Sequence, residues 1–82
     1  MIPIMEIPDI DQQLDVTGMN CPMPVLRTKM FLAKLTTGQV LSVLSTDPHS
    51  VPDFRAFCDH TGHELIKTCE RDDLFEFIIR KA

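Results

Sequence analysis

Leu14-Asp15-Val16-Thr17-Gly18-Met19-Asn20-Cys21-Pro22-Met23-Pro24-Val25 is the stretch on which the fold turns. Residues 12–17 read as a short strand, Gly18 to Asn20 as a turn, and residues 22–35 as an amphipathic helix. Pro22 and Pro24 have no N–H to give, but their fixed φ suits a first helical turn. The arrangement sets the thiol of Cys21 at the mouth of a helix. A helix N-terminus carries partial positive charge and unpaired N–H donors, and both favour a thiolate. The thiolate is the nucleophilic form of cysteine. Cys21 is therefore the candidate catalytic residue, with Gly18, Pro22 and Pro24 as the motif expected to support its ionised form.

Working outward, Thr36, Thr37 and Gly38 stop the first helix, and the largely apolar residues 40–45 form a second strand. Asp47-Pro48 reads as N-cap and first-turn proline of a second helix that runs to about Thr61. Gly62 is placed to end it in a left-handed cap. A third strand follows over residues 63–70, then a tight turn at Arg71-Asp72-Asp73 and a fourth strand over 74–80. Phe75, Phe77 and Ile79 alternate on one face of that strand. The order βαβαββ predicts a two-layer α/β sandwich with both helices on one face of a four-stranded mixed sheet. Residues 1–11 carry two prolines and no usable period, and are read as a flexible extension ahead of a single domain at 12–82.

The stretch also carries a resemblance. Its strand ending in Leu14-Asp15, followed by Gly18-Met19-Asn20-Cys21-Pro22-Met23-Pro24, resembles the signature of the TusA/SirA family of sulfur carriers. Gly38-Gln39, Thr46-Asp47-Pro48, Asp53-Phe54, Phe57-Cys58 and Gly62-His63-Glu64-Leu65 fall where that family has similar residues, so the likeness covers nearly the whole chain. Met23 departs from it, standing where the tRNA-thiolating member has Glu. The resemblance implies that Cys21 accepts sulfur as a persulfide from a cysteine desulfurase or another persulfide donor and hands it to the cysteine of an acceptor protein. Formation of 2-thiouridine in tRNA is the family's best-known destination; sulfur oxidation and molybdenum-cofactor sulfur supply are others.

Composition bounds these readings. The 82 residues carry a formal charge of −4, with a pI near 5.1. An acidic chain is poorly suited to bind nucleic acid directly. Its three cysteines are odd in number, and their spacing supports neither a disulfide framework nor a metal site. No cofactor motif is present. The first residues lack the basic region and apolar core of a secretory signal, and no apolar run is long enough for a membrane span. A cytoplasmic protein is the expectation.

Other reactive side chains weigh less. Val51, Phe54 and Cys58 share one stripe of the second helix, which turns Cys58 toward the sheet as an inert small hydrophobe. Cys69 lies in the third strand and is read as structural. Val25, Leu26, Met30, Leu32 and Ala33 make the apolar stripe of the first helix, with Lys29 within its span. Lying about 12 Å along the helix axis from Cys21, Lys29 is a candidate for partner docking and not for catalysis. Met19 and Met23 are candidates for an apolar docking rim around the thiol. None of the three histidines is tied to Cys21 by sequence. Two readings from other classes stand beside the sulfur carrier. A thiol redox protein needs a resolving cysteine within reach, and a non-catalytic RNA or protein interaction module needs no reactive thiol.

Overall fold

A computed structural model describes residues 9–82 of the chain, so most of the expected N-terminal extension, residues 1–8, lies outside the described residues. The elements run β1 (Gln12–Asp15), α1 (Met23–Leu32), β2 (Val40–Ser45), α2 (Ser50–Thr61), β3 (Glu64–Arg71) and β4 (Leu74–Arg80). The strands form one sheet in the order β1-β2-β4-β3. Its β1–β2 pair is parallel, and the β2–β4 and β3–β4 pairs are antiparallel. This is the expected βαβαββ arrangement. The parallel pair is the one bridged by a helix, because parallel neighbours need a long crossover.

Strand register places the core. Leu14 lies beside Val43, Val43 beside Phe77, and Leu41 beside Ile79, so these side chains project from the same face. Leu32 of α1 and Phe54 and Cys58 of α2 pack on that face in one cluster with Phe75 and Val16. The Phe54 and Phe77 rings stack with centroids 4.4 Å apart, tying α2 to the centre of the sheet. Offset aromatic stacking adds about 1 kcal/mol to the burial of both rings. On the other face Gln13 Nε2 donates to Ser42 Oγ, and the Ser42 hydroxyl donates to Glu76. That row satisfies polar groups of central strands that would otherwise be costly to bury.

Two boundaries differ from the sequence reading, each for a local reason. The α-helical part of α1 ends at Leu32 because its last turn tightens: Lys34 and Leu35 donate to Phe31 and Leu32, three residues back. Asp47 is not the N-cap of α2. His49 holds that position, while Asp47 Oδ1 accepts the His49 N–H at 3.0 Å in a turn just ahead of the helix. Gly62, at φ 86°, caps α2 in the left-handed region as expected, its N–H donating to the Cys58 carbonyl.

The apolar stripe of α1 is the larger correction. The residues buried against the sheet are Pro24, Thr28 and Leu32, spaced i, i+4 and i+8. Thr28 can be buried because its hydroxyl donates to the Pro24 carbonyl at 2.8 Å. Leu26 and Met30, expected on the inner stripe, are 45% and 64% exposed, and Met23 is 39% exposed. Helical periodicity counts apolar residues on either face. Here one apolar stripe faces the sheet and another faces outward.

Candidate functional site: a thiol at the end of an interhelical groove

Cys21 sits two residues ahead of α1, at the end of the loop that leaves β1. The path of that loop is set by short-range polar contacts. Thr17 donates both its N–H and its hydroxyl to Asp15 Oδ1, which lowers the Asp15 carboxyl below its ordinary range. Gly18 then takes φ 80°, a conformation that disfavours any side chain, and its N–H donates to Thr46 Oγ1 at 2.8 Å. The Met23 N–H donates to Asn20 O, and the Cys21–Pro22 peptide is cis.

The contact that fixes the thiol crosses from another loop. The backbone N–H of Cys21 donates to Asp47 Oδ2 at 2.7 Å. Asp47 is only 6% exposed, and its other oxygen takes the N–H of His49 and lies 3.0 Å from His49 Nδ1. These bonds hold the Asp47 carboxyl below the usual carboxylate range, with the His49 N–H first and the Cys21 N–H next. A charged, nearly buried side chain thus clamps the thiol loop to the β2–α2 loop.

The thiol is exposed. It opens onto a groove of about 530 Å³ between α1 and α2. Pro22, Val25, Leu26 and Lys29 line one wall, and Asp53, Ala56, Phe57 and His60 the other. Lys29, placed by the sequence within the span of the apolar stripe of α1, lines this groove. Met23, two residues after Cys21, is 39% exposed and is not among the groove-lining residues. Met19 does not join the expected rim, because that side chain is half-buried and packs against the core cluster.

The expected stabilisation of a thiolate is corrected by the surroundings of the sulfur. The Cys21 thiol is pushed up from its ordinary value, first by a hydrogen bond to the Asp53 side chain, then by desolvation and the negative charges of Asp53 and Asp47. The helix mouth has few donors to set against this. Pro22 and Pro24 carry no N–H, and the Met23 N–H is committed to Asn20. The sulfur thus opens onto a groove that it shares with Asp53, and its backbone is bonded to a second carboxylate, Asp47. Cys58 is a different case, buried in the core with its thiol pushed up to about 11, chiefly by desolvation. Cys69 is half-buried on β3.

Sequence reasoning missed Asp53 as a neighbour of the thiol and Phe57 and His60 as groove residues. Their spacing on α2, with Asp53, Phe57 and His60 at i, i+4 and i+7, was the available signal.

The family model described as Sulfurtransferase TusA matches residues 12–81. The chain belongs to this family. It is 50% identical over 74 residues to the sulfur carrier protein TusA of Allochromatium vinosum, covering 90% of this chain and 97% of that one. It is 46% identical over 69 residues to a putative sulfur carrier protein of Neisseria meningitidis serogroup A, covering 84% and 93%. Among solved structures, the SirA-like protein of Desulfitobacterium hafniense superposes with a TM-score of 0.75 at 30% identity, over 84% of this chain and 95% of that one. The chain is a sulfur carrier of this family, a role that implies a sulfur donor and a sulfur acceptor. Among the described residues no helix is long and apolar enough to cross a membrane.

Proposed function

We propose that this protein carries sulfur as a persulfide on Cys21, loaded by a cysteine desulfurase or another persulfide donor and passed to the cysteine of an acceptor protein in the cytoplasm. The observation that carries the reading is an exposed thiol, held by its backbone to Asp47 and opening onto a groove between two helices. A carrier sulfur must be reached by two partners in turn, so exposure at the end of a groove suits it better than an enclosed pocket would. Transfer proceeds by thiolate attack on a sulfur–sulfur bond and needs no cofactor. Sulfur supply for 2-thiouridine in tRNA is the pathway we assign first, with delivery through a protein acceptor and no direct contact with RNA, given the formal charge of −4. The buried Cys58 is badly placed to resolve a disulfide with Cys21, which counts against the thiol redox reading. The test is mass spectrometry after incubation with a cysteine desulfurase and cysteine. One added sulfur atom on the Cys21 peptide, removed by reductant, supports the reading; sulfur on Cys58 or Cys69 alone overturns it.

A further inference from the structure

The loop that carries the thiol is held by two consecutive residues from a distant part of the chain. Gly18 and Cys21 each give a backbone N–H to a side chain of the β2–α2 loop. The Gly18 N–H donates to Thr46 Oγ1 at 2.8 Å, and the Cys21 N–H donates to Asp47 Oδ2 at 2.7 Å. The receiving side is itself braced. Asp47 Oδ1 accepts the His49 N–H, and the Asp47 N–H donates to Ser45 Oγ at 3.2 Å. That hydroxyl lies 2.6 Å from Ser50 Oγ, and both serines are buried, so the brace reaches from the end of β2 to the start of α2. Thr46 is exposed, and water could replace its bond to Gly18 at little cost to the fold. The use of its hydroxyl on the thiol loop therefore calls for a reason other than stability.

We propose that Thr46 and Asp47 are positioning residues of the carrier site, fixing the backbone at Gly18 and Cys21 so that the Cys21 sulfur is aimed for attack at the end of the interhelical groove. The inference rests on Cys21 being the persulfide carrier. In loading, the Cys21 thiol gives up its proton to solvent and its sulfur attacks the outer sulfur of a donor Cys–S–SH. A new sulfur–sulfur bond forms, the donor's old one breaks, and the donor cysteine leaves as a thiolate that takes up a proton. One neutral sulfur atom moves, with no net oxidation. The attack runs along the axis of the bond being broken, so a docked donor must find the carrier sulfur in one place. A loop free to swing loses that alignment, and a misplacement of about 1 Å can slow a reaction on the order of a hundredfold. A small diffusing reagent approaches from any side and makes no such demand, which separates aiming from intrinsic reactivity.

The test compares two rates on the same variants. One is sulfur uptake from a cysteine desulfurase with cysteine, as a function of carrier concentration; the other is alkylation of Cys21 by iodoacetamide. Thr46→Val removes the hydroxyl from an exposed site with no change of charge, and Thr46→Ser keeps it. Thr46→Val should lower the maximal rate of uptake about threefold, the scale of one ordinary hydrogen bond, with the half-saturating concentration unchanged. Thr46→Ser should load at the unaltered rate. Asp47→Asn leaves one carbonyl oxygen where two N–H groups were received, and should lower the maximal rate about tenfold or more. Alkylation should be unchanged in both Thr46 variants and no slower in Asp47→Asn, which removes a carboxylate charge bonded to the Cys21 backbone. The proposal is overturned if Thr46→Val loads at full speed, if Thr46→Ser loads as slowly as Thr46→Val, or if alkylation slows in step with uptake. If Asp47→Asn does not fold, the two Thr46 variants decide alone. An unaltered chain that takes up no sulfur sinks the carrier reading and this one with it. An unaltered chain that loads, beside variants that load equally fast, sinks this one alone.

Discussion

At the residue scale, the protein separates the reactivity of a cysteine from its identity as a cysteine. Cys21 and Cys58 are the same chemical group, and both thiols sit above their ordinary value, with different leading causes. Cys58 is raised chiefly by loss of water, Cys21 first by the Asp53 hydrogen bond, then by desolvation and nearby carboxylate charge. Desolvation is removed only by unfolding, whereas a partner can neutralise a carboxylate. Alkylation of the folded protein should therefore fall on Cys21 well before Cys58; equal labelling would remove the case for a specialised site. Cys21→Ser should leave stability within about 0.5 kcal/mol, the usual range for a surface substitution, or a few degrees in Tm. The same variant should take up no sulfur from a desulfurase. Persulfide on the Ser variant would move the function to another cysteine. The Cys-Pro-x-Pro sequence made the thiol legible. The carboxylates were not, because they come from 26 and 32 positions further on, and only tertiary structure brings α2 back to the β1–α1 loop.

At the element scale, α1 has two apolar faces, and a periodicity argument does not say which faces the sheet. Pro24, Thr28 and Leu32 turn inward; Met23, Leu26 and Met30 turn outward. Thr28 hides the true inner face from a hydropathy reading, since its hydroxyl is satisfied within the helix by the Pro24 carbonyl. The two faces make opposite predictions for substitution. Leu32→Ala deletes side-chain atoms that are 1% exposed and should cost about 2–5 kcal/mol in urea unfolding. Leu26→Asp and Met30→Glu should unfold within about 0.5 kcal/mol of the unaltered chain. Under the proposed function the same two changes should slow sulfur transfer from a protein donor, because Leu26 lines the groove and Met30 flanks it on the same helix. A desulfurase loading rate unchanged in the double variant would show that this face takes no part in docking. The ends of the helices were legible only where a single residue decides them. Gly62 was, through its left-handed φ; the start of α2 was not, because Asp47 bonds to the thiol loop and leaves the N-cap to His49.

At the scale of the whole molecule, two of the three strand pairings follow from rules visible in the sequence: a parallel β1–β2 pair bridged by a helix and an antiparallel β3–β4 hairpin closed by Asp72 at φ 56°; the central β2–β4 pairing that joins them does not. What the pattern of elements leaves open is how the loops are fastened to one another, and here the fastening is largely by carboxylates and an imidazole. Asp47 joins the thiol loop to the β2–α2 loop, Asp15 organises the turn before Gly18, and His63 Nδ1 accepts the Ala82 N–H at 2.9 Å. The Asp47 and Asp15 carboxyls lie below their ordinary range in the folded state. The His63 imidazole is also lowered, by desolvation and then by the charge of Lys81. All three shifts have the same consequence. A carboxyl lowered on folding contributes stability above its unfolded pKa, and the contribution is lost as pH falls through the folded value. A lowered histidine favours the neutral ring in the fold, so its contribution is present above the ordinary imidazole range and declines as pH falls below it. The unfolded chain binds more protons throughout, and acid should destabilise in two stages. Thermal unfolding should show a shallow fall in Tm from about pH 7.5 to about pH 5, across the imidazole window, then a steeper one through the carboxylate window. His63→Gln should remove the first stage and leave the second. A Tm that holds level down to about pH 5 in the unaltered chain would mean that His63 adds nothing to the closure of the C-terminal strand, leaving Asp47 and Asp15 to account for any fall at lower pH.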